Sequence, residues 1–421
     1  MSVSRATIHD LPAEIIAIIL SYGQRTGVHP KREDAMACVR YACAVSQVSR
    51  FWRSITLNVE PAKLIWSYIV EFTHGDFPTS IGSLFVKRTK HRLHYFLIQN
   101  RPEEMSEPTL LVDIAHRVQC ISLYALQLQL PDQRLLEWTT DAGRRLEYFT
   151  FTVPDYSKPS SGFPVLFDES KIRRRKFDLQ LFGYPISSTP NILPTSLTRL
   201  TLERSYVSLH ALLTECSKTL EILVLRGVVN LDSGTRGPFK LHRLVYLELG
   251  GSHSNLPQCV QTPWLGCVLL TGRWNAAEIL NFRWRYGAPK SVERLVYAMD
   301  DMTQGGQYHL LNAILIDAFP CVEDIQWCGD VRPLLALLQR TAIRTGPRGA
   351  RTVGLPMLKS LTVSDLFKSY DDVKELLLWR LGEGFPFRSI GYRAADEEAA
   401  DAIVASYPAN IEQELCYDWY K

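Results

Sequence analysis

Residues 197–227 read LTRLTLERSYVSLHALLTECSKTLEILVLRG, and the fold turns on this stretch. LTRLTL at Leu197 and LEILVL at Leu220 share one pattern, apolar-x-x-apolar-x-apolar. The last two apolar positions alternate, as a short strand with one buried face requires. Between them, LHALLTECSKTLE carries apolar residues at helical spacing. LVYLEL from Leu244 is a third clear copy. Weaker ones are LHYFLI from Leu93, VQCISL from Val118, LEYFTF from Leu146 and LGCVLL from Leu265, followed by VERLVY from Val292, VEDIQW from Val322, LKSLTV from Leu358 and FRSIGY from Phe387.

From Leu197 onward the copies start 23, 24, 21, 27, 30, 36 and 29 residues apart. These periods lie close to or somewhat above the ~20–29 residues of leucine-rich repeats. The 51 residues between Leu146 and Leu197 leave room for a degenerate copy around KFDLQLFGY. One such pattern arises by chance in any α/β domain, but about ten in series favour stacked strand–turn–helix units sharing a continuous core. The expected fold class is α/β: a leucine-rich-repeat-like solenoid over 116–421, with degenerate turns that lack the usual Asn. Residues between and just after the alternating apolar positions would line its strand face. They are Arg199, Thr201, Glu203, Arg226, Tyr246, Glu248, Gln326, Thr362 and Arg393. Mixed charges with Tyr and Gln suit a protein surface, whereas a phosphate backbone calls for a run of Lys and Arg. This face is the candidate substrate surface; plain solvated strand residues, with substrate meeting loops or the C-terminal tail, are the alternative.

Composition agrees with a globular chain. Of 421 residues, 46% are hydrophobic and 22% charged, and 47 basic against 44 acidic residues leave a net charge of +3. That balance offers no global argument for nucleic acid or an anionic membrane as partner. Nine cysteines without a CxxC pair read as reduced thiols, and no Asn-x-Ser/Thr acceptor occurs. The expected location is the cytoplasm, with the nucleus as the alternative if KIRRRK at 171–176 acts as an import signal rather than a loop.

The other end of the chain opens on IHDLPAEIIAIIL, residues 8–20. Its uninterrupted apolar run is only Ile15 to Leu20, and Asp10 and Glu14 precede it, so a signal peptide and a membrane span are both rejected. Asp10 can cap a helix there, and Pro12 suits its first turn. Leu11, Ile15, Ile18 and Tyr22 fall on one stripe, with Ile16, Ile19 and Leu20 off it. A helix apolar on more than one face is buried deeply or shared with a partner. AMACVRYACAVSQVSRFWRSI at 35–55 reads as a second helical segment and PAKLIWSYI at 61–69 as a third.

These three pieces resemble an F-box, in particular the version found in mushroom-type fungal proteins. Leu11, Pro12, Glu14, Ile15, Ile19 and Leu20 match its first helix, and Val48, Ser49, Trp52 and Arg53 match its Val-Ser-x-x-Trp-Arg signature. The resemblance covers 8–70; 71–115 reads as a linker and the entry to the repeat domain. The polar stretch SYGQRTGVHPKREDAM departs from a compact F-box by separating the first two helices. The resemblance implies docking to a Skp-type adaptor, and through it to a cullin, by Leu11, Pro12, Ile15, Ile16, Ile19, Leu20, Val48 and Trp52. A helical cap on the repeats that binds nothing is the competing reading.

Motifs for bond chemistry are absent: no GxxxxGK[ST], GxGxxG or HExxH occurs. HRLH at 91–94, beside Lys87, Arg88 and Lys90, reads as a solvated basic turn rather than a zinc site. Asp300–Asp301 reads as a turn or cap. Arg332 to Arg351, with five arginines and no acid, reads as a loop, and the acidic end with Trp419 and Tyr420 as a cap on the last repeat. The expected protein is a non-catalytic substrate receptor of a ubiquitin ligase, with no cofactor, metal, nucleic acid or membrane, and an unknown protein as substrate. A repeat scaffold with a vestigial F-box is the alternative.

Overall fold

A computed structural model describes residues 8, 11–23, 32–60, 62–72, 79–89, 93–98, 114–124, 146–152, 177–183, 185–186, 196–207, 209–230, 239–250, 256–272, 274, 284, 289–299, 318–328, 332, 334, 338, 355–364, 366, 368–407 and 410–415. The chain divides into two units, Met1–Leu197 and Thr198–Lys421. The architecture is α/β, built on parallel strands and helices.

The first unit opens with α1 (Ala13–Gly23), α2 (Arg32–Val48) and α3 (Arg50–Asn58). Helix α1 starts directly after Pro12, whose carbonyl accepts from the Ile15 and Ile16 amides at 3.0 and 3.1 Å. It stops at Gly23, where Tyr41 of α2 crosses it: the Tyr41 hydroxyl donates to the Leu20 carbonyl at 3.0 Å. A Cβ at Gly23 would collide with that hydroxyl. Ser49 makes the corner between α2 and α3. Its backbone is extended (φ −159°, ψ 167°), and its side chain accepts from the Trp52 amide at 3.1 Å, capping α3. Arg53 Nε then donates back to the Ser46 carbonyl at 2.9 Å. The Ser and Arg of the signature thus hold a helix corner.

Next come a 3-10 turn (Ala62–Trp66), β1 (Tyr68–Phe72), α4 (Thr79–Arg88), β2 (Leu93–Ile98), β3 (Val118–Tyr124), β4 (Tyr148–Thr152), β5 (Phe177–Phe182) and the two-residue β6 (Pro185–Ile186). Strands β1 to β5 pair parallel, each with the next in sequence. The row Ile69–Tyr95–Ile121–Phe149–Leu179 crosses them and is buried throughout. Three expectations are corrected here. LIWSYI is a 3-10 turn running into a strand, because the β-branched Ile69 and Val70 find a parallel partner in β2. The strand array therefore begins at Tyr68 rather than at 116, and 71–115, read as linker and entry to the repeats, holds α4 and β2. Leu93 and His94 of HRLH are strand residues, and burial holds the His94 imidazole down at about 4. Its ring stacks on Tyr68 at 4.8 Å. The degenerate copy in KFDLQLFGY is β5.

The second unit carries β7 (Leu197–Glu203), β8 (Tyr206–Val207), α5 (Leu209–Cys216), β9 (Ile222–Arg226), β10 (Val229–Asn230), β11 (Phe239–Lys240), β12 (Tyr246–Gly250), α6 (Leu256–Cys259), β13 (Val260–Gln261) and β14 (Cys267–Gly272). It continues with β15 (Arg294–Met299), β16 (Asp324–Trp327), β17 (Ser360–Val363), α7 (Tyr370–Gly382), β18 (Ser389–Tyr392), α8 (Glu397–Ser406) and β19 (Glu412–Leu415). Its main sheet runs β7-β9-β12-β14-β15-β16-β17-β18-β19, all parallel. The fourth residue of each sequence copy falls into register: Leu200, Leu223, Leu247, Val268, Leu295, Ile325, Leu361 and Ile390 form one buried row. The first residue of each copy is buried as well, Leu197 at the start of its strand and those from Leu220 to Phe387 just ahead of theirs. Neither residue alone could hide its side chain, and eight or more in register can.

One polar group sits inside this apolar set. Arg380 of α7 is fully buried and donates from Nε to the Phe385 carbonyl (3.1 Å) and from Nη2 to those of Leu358 (3.0 Å) and Leu355 (3.4 Å). Its guanidinium lies 4.8 Å over the Phe387 ring. One side chain thereby ties together the turns that precede β17 and β18, and burial draws its pKa down to about 10. KIRRRK, Asp300–Asp301, Trp419 and Tyr420 lie outside the described residues, as does nearly all of 332–351.

Candidate protein-docking surface

Helix α1 has two apolar faces with opposite fates. Ile16, Ala17 and Leu20 are buried, Ile16 completely, whereas Leu11, Ile15, Ile18, Ile19 and Tyr22 remain exposed. Ile15 is 44% and Ile19 47% exposed, values that a core isoleucine does not show. Positions 16, 17 and 20 share one side of the helix and 11, 15, 18, 19 and 22 the other, as 3.6 residues per turn dictates. Ile16 and Leu20, assigned above to adaptor contact, are therefore core residues: their atoms already face the chain's own interior. Leu11, Pro12, Ile15 and Ile19 stay available.

Exposed apolar side chains also occur at the α2–α3 corner. Val48 is 61% exposed, Phe51 is exposed beside it, and Trp52 is half-buried. Leu64 in the 3-10 turn and Leu84 on α4 are exposed too. Of the large apolar side chains exposed among the described residues, ten lie between Ile8 and Leu84 and four in all the rest, so the excess is local. Phe51, Leu64 and Leu84 escaped the sequence reading because each sits in a mixed segment where only burial tells inside from outside. An apolar concentration of this kind on a folded chain marks an interaction surface.

The strand face of the second unit is more polar and partly closed. Arg199, Ile222 and Tyr246 are in register, as are Thr201, Val224 and Glu248. The structure gathers four of the nominated residues into one cluster. Arg226 Nε lies 2.5 Å from Glu248 Oε1, its Nη1 lies 3.7 Å from Glu203 Oε2, and the Tyr246 hydroxyl donates to Glu248 Oε2 at 3.4 Å. Burial pushes the Tyr246 phenol up, and the Glu248 charge adds to it. Burial opposes the Arg226 charge, but Glu248 and Glu203 more than offset it and raise its pKa. Gly250 leaves room for this arrangement, since a Cβ there would press on the Arg226 backbone at 3.3 Å.

Four nominated residues are corrected. Thr201, Glu248, Gln326 and Thr362 are buried, Glu248 to 2% exposure. They form the middle row of the face, where neighbours only ~4.8 Å away on each side cover them. Arg199, Glu203, Arg226 and Tyr246 keep exposed surface. Arg393 is exposed but lies beyond the end of β18, outside the strand rows.

Among the described residues no group of three or more His, Cys, Asp or Glu side chains is placed to hold a metal ion, and no helix is long and apolar enough to cross a membrane. No protein-family model matches the chain, and no curated protein matches it significantly.

Proposed function

We propose that the protein is the substrate-recognition subunit of a Skp-cullin-F-box ubiquitin ligase. The observation that carries this reading is the exposed apolar face of α1, together with Val48 and Phe51 at the corner built by the Val-Ser-x-x-Trp-Arg signature. In this reading the face receives a Skp-type adaptor, which joins the chain to a cullin. The sequential parallel order of the strands and their periodic leucines support the leucine-rich-repeat-like reading of the remainder. Its open polar residues, Arg199, Glu203, Arg226 and Tyr246, hold a target protein. The mechanism is proximity: holding a target raises the effective concentration of its lysines near charged ubiquitin, with no bond chemistry by this chain.

The test is co-expression of the full chain with a Skp-type adaptor from the same host. The adaptor should co-purify at about 1:1. A chain that purifies folded and retains no adaptor refutes the ligase reading and leaves the scaffold with a vestigial F-box.

A further inference from the structure

Three tethers tie two arginines, Arg53 and Arg88, to the same stretch of α3. The Arg88 guanidinium lies 4.4 Å over the Trp66 ring, and the Trp66 indole donates to the Thr56 carbonyl of α3 at 3.0 Å. Arg53, one turn earlier on α3, is fixed through its Nε on the Ser46 carbonyl. Burial lowers the Arg88 pKa, the neighbouring Cys43 thiol opposes that, and the Arg53 charge adds a further push downward. Among the described residues neither arginine has a carboxylate partner. Arg40, Arg50 and Lys87 are exposed in the same unit; among the described residues there the exposed acids are Glu14 and Glu60, and Glu60 is engaged by Lys63 at 3.1 Å.

Like charges in one region with no carboxylate partner among the described residues are an unfavourable arrangement that a complementary surface relieves. The cations are interleaved with apolar side chains: Arg50 with Val48 and Phe51, Lys87 and Arg88 one turn from Leu84. A phosphate backbone would leave those side chains uncovered. A membrane-surface helix carries Lys and Arg on its own polar face, and α1, AEIIAIILSYG, has none. The occupant that fits is a protein face.

We infer that the docking partner supplies a carboxylate to Arg53 and Arg88, so that its contact face is apolar at the centre and acidic at the rim. This rests on the reading of the helical region as an adaptor-docking surface and adds the chemistry of the partner.

The experiment titrates the full chain with a purified Skp-type adaptor at about 0.1 M and about 1 M salt, between which the screening length falls from ~10 to ~3 Å. The wild-type Kd should rise about tenfold with salt. The Arg53→Gln/Arg88→Gln double variant should bind about tenfold more weakly at low salt and match the wild type at high salt, with an unchanged Tm. If either substitution lowers the Tm, through Trp66 for Arg88→Gln or through the Ser46 bond for Arg53→Gln, the salt dependence decides: a lost charge costs affinity only at low salt, a disturbed fold at both. Wild-type affinity that ignores salt, or a double variant that binds as well as wild type, overturns the acidic rim while leaving the ligase reading intact. No adaptor binding at either salt refutes both. Binding to phosphatidylserine vesicles in place of the adaptor assigns the surface to a membrane and overturns the inference.

Discussion

Ile16 and Ile19 are the same residue three positions apart on one helix, and their truncation should report on two different properties. Ile16 is completely buried, so Ile16→Ala removes methylene contacts from a packed site and leaves a cavity. That costs about 2–5 kcal/mol of stability. At roughly 2–4 °C per kcal/mol for a unit of this size, the Tm should fall by about 5–20 °C. Ile19 and Ile15 are about half exposed. Burying a whole isoleucine is worth about 1.5–3 kcal/mol, so covering the exposed half on docking contributes about 1 kcal/mol each. Ile15→Asp and Ile19→Asp also force a carboxylate against an apolar partner, and the pair together should weaken adaptor binding at least ~100-fold. Their Tm should fall by much less than that of Ile16→Ala, because the folded chain leaves about half of each side chain uncovered and the carboxylates can turn to water. The assays are differential scanning calorimetry of the free chain and titration with the adaptor. If the two aspartates lower the Tm as much as Ile16→Ala does, α1 is covered by its own chain and the docking argument fails.

Acid should act through His94. Its folded pKa of about 4 lies below the 6.5 of the free side chain. The unfolded chain therefore takes the proton first, and the stability present above about pH 6.5 is lost as pH falls toward 4. At about 1.4 kcal/mol per pH unit the loss is about 3 kcal/mol, and urea unfolding should show it in wild type but not in His94→Phe. Arg380→Ala should cost about 3–5 kcal/mol in chemical denaturation by stranding the carbonyls it binds. Arg380→Lys should recover only part of this, since an ammonium lacks the fork that reaches two turns. Gly23→Ala, which in an open helix would stabilise by about 0.5–1 kcal/mol, should lower the Tm because its methyl meets Tyr41. Arg226→Ala should lower the Tm more than Glu248→Ala does, since it strands the buried Glu248 carboxylate, whereas the half-exposed Arg226 left by Glu248→Ala can turn to water.

The strands and their core were legible in the residues because alternation is a local property. LTRLTL, LEILVL and LVYLEL each state which side chains point inward without reference to any other segment, and their fourth residues do line up in one buried row. The Ser49 corner was equally legible, since a cap acts within one turn. What needed the tertiary structure was every question of cover. Helix α1 is apolar on both sides, so periodicity names two faces and cannot say which meets the rest of the chain. Packing chose Ile16 and Leu20 for the inside and left Ile15 and Ile19 out. LIWSYI has residues compatible with helix or strand, and only pairing with β2, some 26 positions on, settled it as a strand. Arg53 and Arg88 stand 35 positions apart, and only Trp66, bonded to Thr56 and packed on Phe85 and Arg88, ties α4 to the stretch of α3 that carries Arg53. Glu248 reads as an open strand residue and is buried, because its row is closed by neighbours contributed from other strands. Direction along a strand or helix is written in the local sequence; exposure is set by segments far away in it, which fold against that element or leave it bare.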